Sequence, residues 1–474
     1  MAEYPRDLVG YGRTPPHPRW PGEARIAVQF VINYEEGGEN SILHGDAASE
    51  AFLSEIVGAV AWPGQRHMNM ESIYEFGSRA GYWRLFRLFT ERKLPVTVFA
   101  IATAMARNPD IVASMNEAGW EVASHGLKWI EYKDFAKADE AAHVRDAIRL
   151  HTQVAGARPL GFYQGRCSVN SLAIAMEEQG FLYSADSYAD ELPYWAAGPH
   201  GPQLIVPYTL DANDMRFATP QGFNSGDQFF AYLKDSFDVL YAEGATAPKM
   251  LSVGLHCRLA GRPGRAAALA RFLDYVQDHE RVWVTTRLDI ARHWIRTHPP
   301  QGGYVPSRMP RALFVERFGD LFERTPQIAE RAHRAGLSGA DDSADGLHAV
   351  LMRQVEALRR DEKVALIKAH PELAGREATA GTLTAESAGE QGRLGFDALT
   401  RAEFDRVGDI NRRYREKFGF PVIVALARHA SRDTVIAEME RRIANDPDTE
   451  IANALEQVGD IVRGRLERKF MTTR

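Results

Sequence analysis

The chain has 474 residues, 45% hydrophobic and 25% charged, a globular composition that is too apolar for disorder and too long for one ordinary core. A formal net charge of -6 leaves no basic footprint, so nucleic acid is excluded as an expected partner. Two cysteines, Cys167 and Cys257, predict a reducing compartment without a disulfide framework. The sequence shows neither a leader nor the roughly eighteen apolar residues of a membrane span, so the expectation is a cytoplasmic protein that does not engage a membrane.

Taken in chain order, short apolar runs alternate with helical periodicity up to about residue 300. "RIAVQFVI" (25–32), "LPVTVFAIA" (94–102), "WEVAS" (120–124), "MLSVGLH" (250–256) and "RVWVTT" (281–286) read as strands. "GYWRLFRLFTERK" (81–93) and "GRAAALARFLDYVQDH" (264–279) read as helices between them. That alternation predicts an α/β domain with a mostly parallel sheet, open or closed into a barrel, over residues 1–300. A stretch with four prolines and two glycines, "THPPQGGYVPSRMPRA" (297–312), then reads as a linker, bounded at 301–312. From 313 to 474 the periodicity is helical almost throughout, which predicts an all-α domain.

Several strand ends in the first domain carry polar residues. His125 follows "EVAS", His256 ends "MLSVGLH" on the face opposite Leu251, Val253 and Leu255, and Glu35 and Glu36 follow the first strand. Polar groups gathered at strand C-termini are the usual source of an α/β active site. Any one of them could equally be a satisfied loop residue.

These residues resemble the polysaccharide-deacetylase (NodB-like) superfamily, which implies a distorted β/α barrel. In its metal-dependent members an Asp-Asp pair and an H-x-x-x-H motif supply a base and metal ligands. Here the pair is Glu35-Glu36, and the motif has become His125-x-x-x-Trp129. The finer pattern is similar to the cofactor-independent allantoinases: "NYEEGGENS" (33–41), "ESIYEFGSRAGYWRL" (71–85), "SHGLKWIEY" (124–132), "GFYQGRCSVNS" (161–171), "DSYADELPYW" (186–195), "YTLDANDMRF" (208–217) and "GLHCRLAGRPGR" (254–265). An indole is a donor only and cannot coordinate a metal, so no metal and no cofactor is expected. His125, His256 and Glu36 are the expected acid/base residues, with Glu35, Trp129, Arg166, Asn213, Arg216 and Arg258 as substrate binders.

In the second domain "LIKAHPELAG" (366–375) ends an apolar helix at His370, because a residue before proline leaves α geometry. A helix C-terminus favours a protonated imidazole there. In "GTLTAESAGEQGRL" (381–394), Thr384 reads as an N-cap, and Ser387, Glu390 and Gln391 fall on one helical face. Ser387 and Glu390 could equally form a capping box. In the last helix Ile451, Val458 and Arg465 are seven apart and share a phase, so Arg465 points inward and must meet an anion, while Arg463 lies off the stripe.

This half resembles the all-α 2-oxo-4-hydroxy-4-carboxy-5-ureidoimidazoline (OHCU) decarboxylases, through "FVERFGDLFERTP" (314–326), "AHPELAG", "LTAESAGEQ", "INRRYREKFGFPVIV" (410–424) and "IVRGRL". The resemblance implies His370 and Glu390 for proton transfer, and Ser387, Gln391 and Arg465 for substrate. It also implies a wall of Phe418, Gly419, Phe420, Pro421, Val422, Ile423 and Val424, with Val422 standing where phenylalanine is more typical. Both resemblances imply small-molecule substrates, OHCU and allantoin, and they are successive: the first activity yields (S)-allantoin and the second opens it to allantoate. A homo-oligomer stays open. The competing readings are a polysaccharide or chitooligosaccharide-type deacetylase, and a first domain that only binds.

Overall fold

The computed structural model describes residues 4, 6–56, 58–375, 385–396 and 398–471. It divides into two compact units, Met1–His298 and Pro299–Arg474. No helix among the described residues is long and apolar enough to cross a membrane.

The first unit is a nine-stranded sheet wrapped as a half-barrel with helices outside it. Its strands are β1 (Ile26–Tyr34), β2 (Thr97–Ala100), β3 (Glu121–Ser124), β4 (Gly161–Phe162), β5 (Tyr183–Ser184), β6 (Tyr194–Gly198), β7 (Gly201–Ile205), β8 (Lys249–His256) and β9 (Val282–Val284). The spatial order is β6-β7-β5-β4-β3-β2-β1-β8, with β9 also on β1. All pairs are parallel except the β6–β7 hairpin. Every residue of β1 is buried, because helices cover one face and barrel side chains the other. The helix Tyr82–Glu91 buries Tyr82, Leu85 and Phe89, one stripe at helical spacing, and Phe89 meets Phe30 of β1 at 5.3 Å between ring centroids.

The barrel is not closed by hydrogen bonds between β7 and β8. A buried arginine ties the gap instead. Arg287 donates to Gln29 Oε1 on β1 (2.7 Å), to Ser252 Oγ on β8 (3.0 Å), and to the carbonyls of Val206 and Pro207 (2.8 Å to the latter) just after β7. Four polar acceptors make this buried charge tolerable.

Register sets the level of the site. Tyr34 pairs with Ala100, Ala100 with Ser124, Ser124 with Phe162, and Asn33 with His256. Glu35, His125, Tyr163 and His256 therefore leave the sheet at one rim, the C-terminal one.

The second unit is helical, with no strand among its described residues. Its helices include Arg311–Phe318, Gln327–Arg334, Ala344–Glu356, Arg360–Lys368, Ala385–Arg393, Arg401–Phe418, Arg432–Arg442 and Pro447–Met471. Thr384, the expected cap of Ala385–Arg393, lies outside the described residues. The segment expected as a linker, 301–312, is not free of structure. Ser307 donates its N–H and Oγ–H to Asp342 (both 2.8 Å), His333 Nε2 bonds the Met309 carbonyl (2.9 Å), and Met309 is buried. The prolines stop a helix but do not prevent packing on the second unit.

Candidate active sites

The first site is built around Glu35. Its Oε1 lies 3.3 Å from His125 Nε2 and 3.5 Å from His256 Nε2, and its Oε2 lies 2.7 Å from Arg258 Nη2. All four side chains are buried. Burial opposes the charge on Glu35, but Arg258 and His256 outweigh it and hold the carboxyl well below the usual range.

Glu36, the expected partner of the histidines, stands beside this cluster on other contacts. Glu36 accepts the backbone N–H groups of Arg258 and Glu35 (both 3.1 Å) and packs on Gly77, where a Cβ would stand 2.3 Å from Glu36 Oε1. Burial pushes its carboxyl up. It buttresses Arg258; Glu35 meets the imidazoles.

His125 Nδ1 faces the Tyr163 carbonyl at 3.1 Å, so Nδ1 carries the proton and Nε2 is the nitrogen turned to Glu35. His256 Nδ1 bonds Asp214 Oδ1 at 2.6 Å, and Asp214 Oδ2 accepts the N–H groups of His256 (2.7 Å) and Ala260 (2.8 Å). Burial lowers the imidazole, but Glu35 and Asp214 overcome it and push His256 up to about 9. Asp214 was not singled out in the sequence, although it sits inside the block 208–217.

Trp129 is 5% exposed, with its ring 4.9 Å from His125 and its backbone N–H on the Gly38 carbonyl (2.7 Å). Arg166 stacks on it at 4.7 Å and pairs with Glu50 at 3.4 Å. Two further expected binders, Asn213 and Arg216, make these contacts within the protein. Asn213 caps the turn Asp214–Ala218 through Oδ1 (2.9 Å to Met215 N) and donates its amide to the Thr209 carbonyl (3.3 Å). Arg216 stacks on Phe223 and Tyr232 at 4.9 and 5.2 Å.

The donor set does not fit the metal of the wider superfamily. Where a second imidazole would stand is an indole, which only donates. The carboxylate beside it is neutralised by Arg258, a cation already in place. Among the described residues no group of three or more His, Cys, Asp or Glu could hold a metal ion.

The second site is a cavity of about 580 Å³ whose lining includes His370, Ser387, Glu390, Gln391, Val422, Ile423, Val424 and Arg465. Helix Ala385–Arg393 carries Ser387, Glu390 and Gln391, all three in the lining of this cavity. Ser387 Oγ donates to Glu323 and accepts from Arg465 Nη2 at 3.1 Å. Gln391 Oε1 accepts the Ala374 N–H (3.1 Å) and holds the turn after His370. Phe418, Gly419, Phe420 and Pro421 are not in the lining. Gly419 ends the helix Arg401–Phe418 at φ 76°, and Phe418 and Phe420 pack on Tyr414 at 4.6 and 6.0 Å.

Arg465 is 2% exposed, as its helical phase predicts. Its partners are protein groups. Nε and Nη2 bond Glu390 (3.1 and 2.9 Å), Nη2 also bonds Glu323 (2.9 Å), and Nη1 faces the Leu321 and Asp320 carbonyls at 3.3 and 3.4 Å. A guanidinium has five N–H groups, and these acceptors use them all. In this structure Arg465 thus ties Glu390, Glu323 and Ser387 together beside the cavity. Arg463 is exposed and pairs with Asp345 at 2.6 Å.

His370 is corrected in its charge. Burial holds its imidazole below the usual range, against weaker opposing pulls from the Leu366 carbonyl and Glu323. Nδ1 bonds Leu366 O at 3.0 Å, an unpaired carbonyl of the helix end, and Nε2 is buried with no hydrogen-bond partner. The helix terminus takes a neutral N–H, and the lone pair is left at the cavity.

The two units define a NodB-like half-barrel enzyme and an all-α lyase scaffold in one polypeptide. Residues 70–179 match the polysaccharide deacetylase family and 307–467 the OHCU decarboxylase family. A Schizosaccharomyces pombe protein bearing the polysaccharide deacetylase name is 41% identical over 314 residues, covering 62% of this chain and 98% of its own. The crystal structure of PuuE allantoinase is 60% identical with a TM-score of 0.62, covering 62% of this chain and 99% of its own. The OHCU decarboxylase of Haloferax volcanii is 34% identical over 164 residues, covering 35% of this chain and 93% of its own. The chain belongs to the polysaccharide deacetylase family by its first unit and to the OHCU decarboxylase family by its second.

Proposed function

We propose that this chain is a bifunctional enzyme of urate catabolism that decarboxylates OHCU to (S)-allantoin and hydrolyses allantoin to allantoate. The observation that carries it is the pairing, in one polypeptide, of a buried Glu35–His125–His256 cluster with a cavity holding His370, Glu390 and Arg465. The 60% identity to PuuE allantoinase supports the hydrolase half, and the decarboxylase relatives support the other.

In the first site Glu35, with His125 Nε2 beside it at 3.3 Å, takes the proton from the attacking water as it adds to the ring carbonyl. The His256 imidazolium, held by Asp214, gives a proton to the departing ring nitrogen as the C–N bond breaks. Arg258 keeps Glu35 ionised for that work.

In the second site the C–C bond to the carboxylate breaks, its electron pair stays on the ring, and carbon dioxide leaves. Neutral His370 takes the proton of the ring hydroxyl through Nε2, and a proton is delivered to the ring carbon from one face. Arg465 aims Glu390 at that face. Because the product of one site is the substrate of the other, tethering them raises the local concentration of allantoin.

The test is to give the purified chain allantoin, with and without chelator, and OHCU made freshly from urate. Allantoate release unaffected by chelator, and (S)-allantoin with carbon dioxide from OHCU, are expected. Failure on allantoin with turnover of an N-acetylated oligosaccharide would favour the deacetylase reading, and failure on both would leave the first unit a binding module.

A further inference from the structure

We infer that the indole N–H of Trp129 is the hydrogen-bond donor that holds a carbonyl oxygen of the bound substrate and stabilises it as charge develops there. The inference rests on the hydrolase reading of the first site and names the group that does there what a Lewis-acidic metal does in metal-dependent hydrolases.

Trp129 is 5% exposed, and its Nε1 has no hydrogen-bond partner. Buried donors are nearly always satisfied, so an orphaned N–H inside a cluster of reactive side chains points to an acceptor that arrives with the ligand. The charged groups around it already answer one another: Glu35 meets Arg258 at 2.7 Å, and His256 meets Asp214 at 2.6 Å. Trp294 Nε1 is also unpaired, but its ring lies in an aromatic cluster with Trp20 and His298.

The ring's placement is built. Gly165 has φ 76°, and a Cβ there would stand 3.1 Å from both Trp129 Cζ3 and His125 Cε1. Glycine thus lets the indole and imidazole approach to 4.9 Å. Cζ3 belongs to the benzo edge, so the opposite edge, which carries Nε1, is turned away from the 165 loop. Arg166 stands 4.7 Å over the ring and is itself held by Glu50, so a cation polarises the indole and makes its N–H a stronger donor. A neutral, planar carbonyl acceptor suits such a donor; a metal-bound oxygen does not need it.

The test uses the full chain. Trp129→Phe keeps a ring and removes the N–H; catalytic efficiency on allantoin should fall about 10²-fold, with the thermal melt of the first unit unchanged as a control on folding. With ¹⁵N-labelled tryptophan, hydantoin should move one indole N–H resonance of the wild-type chain downfield, at concentrations where it inhibits allantoin opening. That resonance should vanish in Trp129→Phe, or in Trp129→Tyr if the first variant does not fold, and the Trp294 resonance should stay in place. If Trp129→Phe hydrolyses allantoin within about twofold of wild type, or if inhibitory hydantoin moves no indole resonance, the inference is overturned while the hydrolase reading stands. If the wild-type chain leaves allantoin intact, both fall together.

Discussion

Asp214 Oδ1 lies 2.6 Å from His256 Nδ1, and its second oxygen accepts the backbone N–H of the same histidine at 2.7 Å. One carboxylate thus fixes both the ring's tautomer and the strand end that carries it. With Glu35 it overcomes burial and raises His256 to about 9. The sign follows from linkage: a histidine raised in the folded state contributes stability fully below its ordinary 6.5 and loses it as pH climbs through about 9. Allantoin opening that uses the imidazolium should therefore show an alkaline limb near pH 9. Asp214→Asn keeps an acceptor and removes the charge, so that limb should move toward neutrality in a pH profile of kcat/KM. An alkaline limb that does not move would remove His256 as the proton donor.

His370 behaves in the opposite sense. Its lowered value means that the folded second unit is stable with neutral imidazole and loses stability as pH falls below 6.5. Decarboxylation should persist below the ordinary histidine range before an acid limb sets in. His370→Gln should abolish decarboxylation and flatten the acid-side loss of thermal stability. If decarboxylation is instead lost on the alkaline side as pH rises through the ordinary histidine range, the imidazole is working as an acid and the tautomer argued above is wrong.

The boundary between the units makes a separate prediction. A fragment 299–474 keeps the Ser307–Asp342 and His333–Met309 bonds, whereas 313–474 loses them. Both should fold, with the longer fragment melting at the higher temperature, and 1–298 should retain allantoin hydrolysis alone. Equal melting temperatures would show that the 299–312 segment contributes no stability.

Much of this was legible in the sequence, and the reason differs from residue to residue. Strand period two placed His256 inside the barrel, and the heptad phase placed Arg465 inside the bundle, because periodicity is a local signal. Glu35 and Glu36 are adjacent beyond a strand end, where no period says which turns inward; contact with Arg258, more than 200 residues away, decides it. Asp214 competes in its segment with Asp211, Asn213 and Arg216, and only the packing of that segment on β8 selects it. Glu323 comes from a turn after the helix Arg311–Phe318 and meets Arg465 across 142 positions. Charge pairs of that separation leave no trace in a single sequence.

Arg465 gives the sharpest prediction, because the structure changes what its loss should do. The sequence required only that a buried guanidinium meet an anion, and replacement by an apolar side chain of similar length is then often harmless. Here the anions are Glu390 and Glu323, and Glu323 is only 3% exposed. Arg465→Met takes the cation away from that buried carboxylate, which keeps the Ser387 hydroxyl, so the second unit should lose up to about 3–5 kcal/mol, the usual cost of breaking one side of a buried pair. Adding Glu323→Gln removes the stranded charge and should restore most of the stability. Decarboxylation should stay down by orders of magnitude in both variants, since Glu390 then loses both bonds from Arg465 and is left to the exposed Arg468 at 2.9 Å, and allantoin hydrolysis should be untouched. Arg463→Met, which removes an exposed pair with Asp345, should change stability and rate little. Thermal melts and rates on the four chains check this together. Recovery of decarboxylation in the double variant would show that Arg465 serves only to neutralise Glu323.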